Sequence, residues 1–329
     1  ILRGSMSGDG MNPPFKWFGG KRRVADYVWS RFGETGSYIE PFLGSGAVFV
    51  RSPGTVKYSV LNDKDCLVAN FWRAAKREPE ALAEYVSDIS HEAELTARHV
   101  YICERLGSLA PRVMADPDYF DLRIAGYWFY AISQVIGDDF ATGTGCWGVR
   151  TADDGTKELV DSRADKAVVG IVPKQRQWEK KKIKLEKARE ITASIFKKLE
   201  SAVILCGAWE RAVTPVNFRQ SGVYSIFLDP PYSSARNMAY RTDGDLRSGI
   251  MRWCRENGGR EDRRIAVCGY DGEYNELQNS GWTMYAWKGA NGFTATRKAG
   301  ANENRSKERI WFSPHCLPDV SPGLFGGRA

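Results

Sequence analysis

A proline pair narrows what this chain can fold into more than any other segment. Asp229-Pro230-Pro231-Tyr232 follows an apolar run, Val223 to Leu228, that reads as a strand. The prolines fix an extended backbone and donate no hydrogen bond, so the strand ends there. Ser37–Glu40, Thr55–Leu61, Ala202–Cys206 and Arg264–Gly269 read as further strands, and Trp282–Trp287 and Arg309–Phe312 as two that can pair at an edge. Helical patterns lie between them: Lys21–Phe32, closed by Gly33, and one opening at Ala47–Arg51. Strands alternating with helices predict a mostly parallel sheet covered on both faces. Ligands of such sheets bind beyond the carboxyl ends of the strands, where the proline pair stands.

Length fits this reading with room to spare. The chain has 329 residues, about two domains at one per roughly 150 residues. A long stretch from Lys64 to about Glu200 is mainly helical in pattern and interrupts the alternation. It predicts an inserted helical domain at 64–199, with 11–63 and 200–317 forming the sheet domain. Inside the insert, Gly137–Pro173 is rich in Gly, Thr and Asp and is expected to be loops. Residues 1–10 (ILRGSMSGDG) read as a cloning scar, with the natural start at Met6 or Met11, and 318–329 as a loose tail.

Composition excludes several classes. Hydrophobic residues are 43% and charged ones 26%, which argues against wholesale disorder and a fibrous repeat. No apolar run approaches the roughly 18 residues that cross a bilayer, and no secretory signal opens the chain. Seven scattered cysteines without a CxxC, and only three histidines, give no zinc pattern and suggest a reducing, cytoplasmic setting. No metal is expected.

The charge is concentrated. Lys174–Lys198 holds ten basic and three acidic residues, an excess equal to the whole chain's +7. Apolar Ile183, Leu185, Ile191, Ile195 and Phe196 thread it at partly helical spacing, predicting a helix with a basic face. Either that face is merely solvated, or Lys180, Lys181, Lys182 and Lys184 contact the phosphates of a polyanion.

Glu40-Pro41-Phe42-Leu43-Gly44-Ser45-Gly46 follows one strand and precedes a helical pattern. Glycines there let the backbone approach a ligand closely, although a plain tight turn would look the same. The next strand ends at Asp63, where a carboxylate can accept hydrogen bonds from both ribose hydroxyls of a nucleoside cofactor. A phosphate-cradling GxxxxGK loop is absent: Gly20-Lys21 is followed by Arg22, and the earlier glycine position is Phe15. Glu40 would repel a pyrophosphate. It suits a cofactor with cationic groups, namely the sulfonium and ammonium of S-adenosylmethionine.

The Asp229 carboxylate and the Pro230 carbonyl form two acceptors without a competing donor, which suits an –NH2 on a planar ring. Tyr232 offers a face on which a base can stack, worth about 1–3 kcal/mol. Such an amine is a poor nucleophile because its lone pair is delocalised. Two acceptors can localise that pair and aim it at a sulfonium methyl, so positioning and electrostatics are the protein's main contributions.

With these motifs in order, the chain resembles the Dam-like, alpha-class adenine-specific DNA methyltransferases, and in its second half the phage-type members. The resemblance rests on Pro14–Lys21 (PFKWFGGK), Tyr38–Gly46, Leu61–Asp63, Leu228–Tyr232, Cys268–Gly272 and Arg309–Pro314. It implies an α/β fold: a Rossmann-like seven-stranded methyltransferase sheet with an inserted, mainly helical target-recognition domain. It implies transfer of a methyl group from S-adenosylmethionine to the amine of an adenine flipped out of double-stranded DNA. By position, Trp17, Lys21, Glu40, Phe42, Gly44, Ser45, Gly46, Asp63, Ala208, Trp209 and Asp229 would line the cofactor site. Asp229, Pro230, Pro231 and Tyr232 would hold the base, and Lys16 would point towards DNA.

The 64–200 segment departs from the family's recognition sequence, and its nearest equivalent is Phe129–Gly137. DNA contacts therefore do not transfer, and Trp147, Arg150 and the basic segment are the remaining candidates. A guanine or adenine amine in RNA, a cytosine amine, and an inactive DNA-binding homologue stay open as alternatives. A monomer or weak dimer is expected. A partner nuclease is compatible with the family but not indicated.

Overall fold

The computed structural model describes residues 11–15, 17, 20–86, 92–134, 147–151, 155, 157–161, 166–167, 185–231, 243–287 and 308–319. In chain order the elements are α1 (Ala25–Phe32), β1 (Ser37–Glu40), β2 (Tyr58–Asp63), α2 (Cys66–Arg77), α3 (Pro79–Val86), α4 (Glu92–Ala115) and α5 (Leu122–Gln134). Then come β3 (Trp147–Thr151), β4 (Lys157–Asp161), β5 (Lys166–Ala167), α6 (Leu185–Leu199), β6 (Ala202–Cys206) and β7 (Tyr224–Leu228). The last are α7 (Asp243–Asn257), β8 (Arg263–Tyr270), β9 (Thr283–Ala286) and β10 (Glu308–Phe312).

Seven strands form one sheet in the order β6-β2-β1-β7-β8-β10-β9. The pairs from β6 to β8 are parallel, while β10 runs antiparallel to both its neighbours. β1 lies between β2 and β7, with Ser37 opposite Tyr58 on one side and Tyr224 on the other. Strand alternation sends neighbours into two separate cores. Tyr38, Leu61 and Phe227 pack on the face shared with α1, α2 and α5, whereas Ile39, Val60 and Leu228 pack with Trp209, Ile250 and Cys254 on the other. With both faces covered, β1 and β7 are buried along their whole length.

From the segment read as an insert, Phe71, Trp72, Trp128 and Phe129 share a cluster with Phe15, Phe49 and Leu61. α2 is started by Asp65, whose carboxylate accepts from the Leu67 amide at 2.8 Å. At the other end of the chain, Leu317 N donates to the Arg31 carbonyl and Tyr27 Oη to Asp319. Residues 320–329 lie outside the described residues.

Three local expectations need correction. The helix expected from Ala47 is only a 3-10 turn, Phe49–Arg51. Val48, Phe49 and Val50 are weak helix formers, and Pro53 follows at once. The helix expected over Lys21–Phe32 is split into a 3-10 turn, Lys21–Arg23, and α1. Where loops were expected, Trp147–Ala167 carries a three-stranded antiparallel sheet, β3-β4-β5, with Trp147 opposite Asp161. Its alternating Trp147, Val149 and Thr151 are strand formers diluted by surrounding glycines. Among the described residues no helix is long and apolar enough to cross a membrane.

Candidate functional site

The loops after β1, β2, β6 and β7 meet at one end of the sheet. The glycine loop is fixed there by its own backbone. Leu43 N donates to the Asn62 carbonyl and Gly46 N to the Leu43 carbonyl. Gly44 N donates to Asp63 Oδ2 at 2.7 Å, while its carbonyl accepts from Trp72 Nε1 at 2.9 Å. Gly44 and Gly46 have φ of 47° and 60°, a region that costs other residues roughly 1–2 kcal/mol. Space imposes the same choice. A Cβ on Gly44 would stand 2.7 Å from the Trp17 ring, and one on Gly46 2.8 Å from Trp72. Buried Asn62 ties three loops together by donating to the Pro41 and Gly207 carbonyls.

Asp63 therefore does more than end a strand. Its Oδ2 takes the Gly44 amide and its Oδ1 the Asp65 amide. Burial, and then the neighbouring Asp65 charge, push its carboxyl up to about 7, although backbone donors pull the other way. Glu40 is 2% exposed and accepts from Tyr38 Oη at 2.9 Å. Burial raises its carboxyl well above the ordinary range, with the Asp229 charge adding to the effect.

At the end of β7, Asp229 Oδ1 lies 2.9 Å from Lys21 Nζ. Lys21 is 3% exposed. Burial opposes its charge, but Asp229, Cys268 and Glu308 together leave the ammonium raised. The Trp287 ring lies 5.7 Å from the same nitrogen. Pro230 is buried and Pro231 exposed. On the opposite face of the sheet, Phe42 stacks on Trp209 with centroids 6.3 Å apart and planes at 21°. Ala208 is exposed just before the 3-10 turn Trp209–Arg211. Trp17 packs edge-on to Phe15 and near Trp128, and Ser45 is buried.

The structure thus brings Trp17, Lys21, Glu40, Phe42, Gly44, Ser45, Gly46, Asp63, Ala208, Trp209 and Asp229 to one end of the sheet. Tyr232, Lys16, Lys180, Lys181, Lys182 and Lys184 lie outside the described residues, as does half of the basic segment. Of the four cations of that segment within α6, three are engaged locally, Lys187 with Glu190 at 2.8 Å, Arg189 with Glu84 at 3.8 Å, and Lys198 with the Ser52 carbonyl, while Lys197 is exposed. Sequence reasoning missed Trp72, Asn62, Trp287 and Glu308. Trp72 looks like any apolar position of an amphipathic helix, and its bond to the glycine loop leaves no local signal. Among the described residues no group of three His, Cys, Asp or Glu side chains could hold a metal ion.

Comparison with known proteins points the same way. Residues 17–133 match the family model of the D12 class N6 adenine-specific DNA methyltransferases. A DNA N-6-adenine-methyltransferase of Escherichia phage P1 is 37% identical to this chain over 68 residues, which make up 21% of this chain. The match spans 9% of the phage protein's length. Trp17, Lys21, Glu40, Phe42, Gly44 and Asp63 fall inside the family match, whereas Asp229 lies beyond it.

Proposed function

We propose that this chain transfers a methyl group from S-adenosylmethionine to the exocyclic amine of adenine in double-stranded DNA. The observation that carries this reading is the ion pair of Asp229, at the end of β7, with Lys21, at the same end of the sheet where Asp63 holds the glycine loop. The family match over residues 17–133 supports the same chemistry. The site fits the cofactor on its own terms. Gly44 and Gly46, both at positive φ, hold the loop tight against Trp17 and Trp72 at the carboxyl end of β1, and a cationic group beside buried Glu40 would favour its carboxylate form. In this reading Asp63 holds the ribose, Phe42 and Trp209 lie by the cofactor's adenine, and Glu40 faces its cationic end. When bound, S-adenosylmethionine supplies an electrophilic methyl group on a sulfonium.

The chain's residues then orient the acceptor. A carboxylate has about four lone-pair sites, so Asp229 can keep Lys21 and still accept from an incoming amine. The Pro230 carbonyl is the second acceptor, and Tyr232 the stacking face. Positioning the amine in line with the methyl group replaces a random encounter with an oriented one. Segment 64–199 is assigned to target recognition.

Nucleoside mass spectrometry tests the reading. Unmethylated duplex DNA incubated with the protein and S-adenosylmethionine should yield N6-methyladenine. A methylated base found only in RNA, or on cytosine, would replace the substrate. No product despite cofactor binding would leave a binding protein.

Asp63 gives a pH test. Its raised carboxyl means that in the free folded protein the group stays protonated until the pH approaches about 7. Folding stability from this group therefore falls as pH rises from the ordinary carboxyl value towards about 7. Ribose hydroxyls donate best to the ionised form, so cofactor affinity should rise through the same pH. With a midpoint near 7, the dissociation constant should tighten about tenfold from pH 6 to pH 8, following the competent fraction. Asp63→Asn should flatten that ratio. It should also weaken binding overall by roughly 1.5–3 kcal/mol, because the amide turns a donor towards one of the two backbone N–H groups. Titration calorimetry of both proteins checks this. An equal ratio in the two would assign the pH dependence to the cofactor's own amine.

A further inference from the structure

We propose that Arg22 and Arg23 are a phosphate clamp at the rim of the Asp229 pocket, gripping the backbone on either side of the displaced nucleotide. The proposal rests on the reading of the chain as a DNA methyltransferase and names part of its contact with DNA.

The pocket has an electrostatic problem. Glu40, Asp63, Asp229 and Glu308 gather at this end of the sheet, and Lys21 is the buried cation among them. A cationic cofactor would draw Glu40 and Asp63 into their ionised forms, so the loaded site offers a polyanion no net positive charge. A nucleic acid can approach only if the rim is cationic. Two described cations at this end are engaged: Lys21 by Asp229, and Arg309 by Asp271 at 2.9 Å. Lys64 is exposed beside Asp63, on the cofactor side.

Arg22 and Arg23 differ from these. They are the two residues after Lys21 in the same 3-10 turn, and both are exposed. Neither has an acidic or other polar partner among the described residues. At three residues per turn, the side chains of such a turn diverge by about 120°. The ion pair anchors Lys21 inward, so Arg22 and Arg23 leave on the two remaining flanks. A nucleotide whose amine reaches Asp229 carries its two phosphates past that position. Arginine meets a phosphate with two parallel donors, which fixes orientation as well as charge. The clamp would thus set register without reading sequence.

The test is Arg22→Gln/Arg23→Gln against a control, Arg219→Gln/Arg252→Gln. Arg219 precedes β7 at the opposite end of the sheet and Arg252 lies in the second half of α7, and both are exposed. Affinity for a labelled duplex is measured by anisotropy across a salt series, with cofactor affinity and DNA methylation alongside. The clamp variant should lower the slope of log affinity against log salt by about 1.8, at roughly 0.9 per lost phosphate contact. It should weaken target and unrelated duplexes equally, raise KM for DNA and keep kcat at saturating DNA. Its melting temperature and cofactor affinity should stay unchanged. The control should keep the wild-type slope. If wild type methylates DNA and the clamp variant keeps its slope, the clamp is wrong and the enzyme reading stands. Weakened cofactor binding with an unchanged slope would also overturn the clamp, assigning the arginines to the cofactor carboxylate. If wild type methylates no DNA, the enzyme reading falls and takes the clamp with it.

Discussion

Replacing Asp229 with asparagine is expected to cut kcat by about 10²–10³-fold while cofactor affinity moves little, the usual cost of losing one preorganised partner of the transition state. The amide keeps the shape of the carboxylate but loses its charge and one acceptor. The change also strands Lys21. Its ammonium is 3% exposed and sits 2.9 Å from Asp229 Oδ1. Breaking a buried pair from one side typically costs about 3–5 kcal/mol, so the variant should also melt at a lower temperature. The two effects can be separated. In Lys21→Met/Asp229→Asn no buried charge is left alone, so much of the stability should return while methylation stays low. Single-turnover transfer and thermal melting on the three proteins check this. Restored activity in the double variant would mean that Asp229 acts only as a partner for Lys21. Full activity in the single variant would sink the assignment of Asp229 to the amine.

Trp72→Ala should have the largest effect on folding. The side chain is fully buried, packs edge-on against Phe49 and Phe71, and fills the space that a Cβ on Gly46 would need. Removing a buried Trp costs about 3–5 kcal/mol, out of a total of roughly 5–15 for a typical domain. The same change frees the Gly44 carbonyl and opens a gap under the glycine loop. Cofactor binding and thermal stability should therefore fall together. Trp72→Phe refills most of the volume without the Nε1 donor. It should recover most of the melting temperature and only part of the affinity. If Trp72→Ala binds the cofactor like wild type, the loop is held by Asp63 and Asn62 alone.

How much of this was legible in the sequence depended on distance. β6 runs over Ala202–Cys206 as its apolar pattern indicates, and β7 ends where the prolines begin. Local signals of that kind need no tertiary context. The glycine loop was legible because backbone freedom is written into residue type. β3 was not, because glycines around Trp147–Thr151 masked a short alternation. Trp72 and Glu308 were missed for another reason: Trp72 reaches the glycine loop from 28 residues away and Glu308 reaches Lys21 across nearly the whole chain, and no spacing rule marks either contact. Lys21 was placed in the cofactor site, but its partner, Asp229, emerged only when the fold brought the two together.

The strand order carries one more consequence. β10 is the last strand among the described residues, yet it lies inside the sheet, between β8 and β9. β9 has β10 as its partner there, so it joins the sheet only after β10 has been made. Until then β8 presents a raw row of amides and carbonyls, an invitation to another unfinished chain. This strand is thus a keystone: a polypeptide cut short just before Glu308 loses five residue pairs with β8 and four with β9 at once. Cells that clear sticky, unfinished chains would recognise such a product by its open edge, long before any missing activity could be noticed.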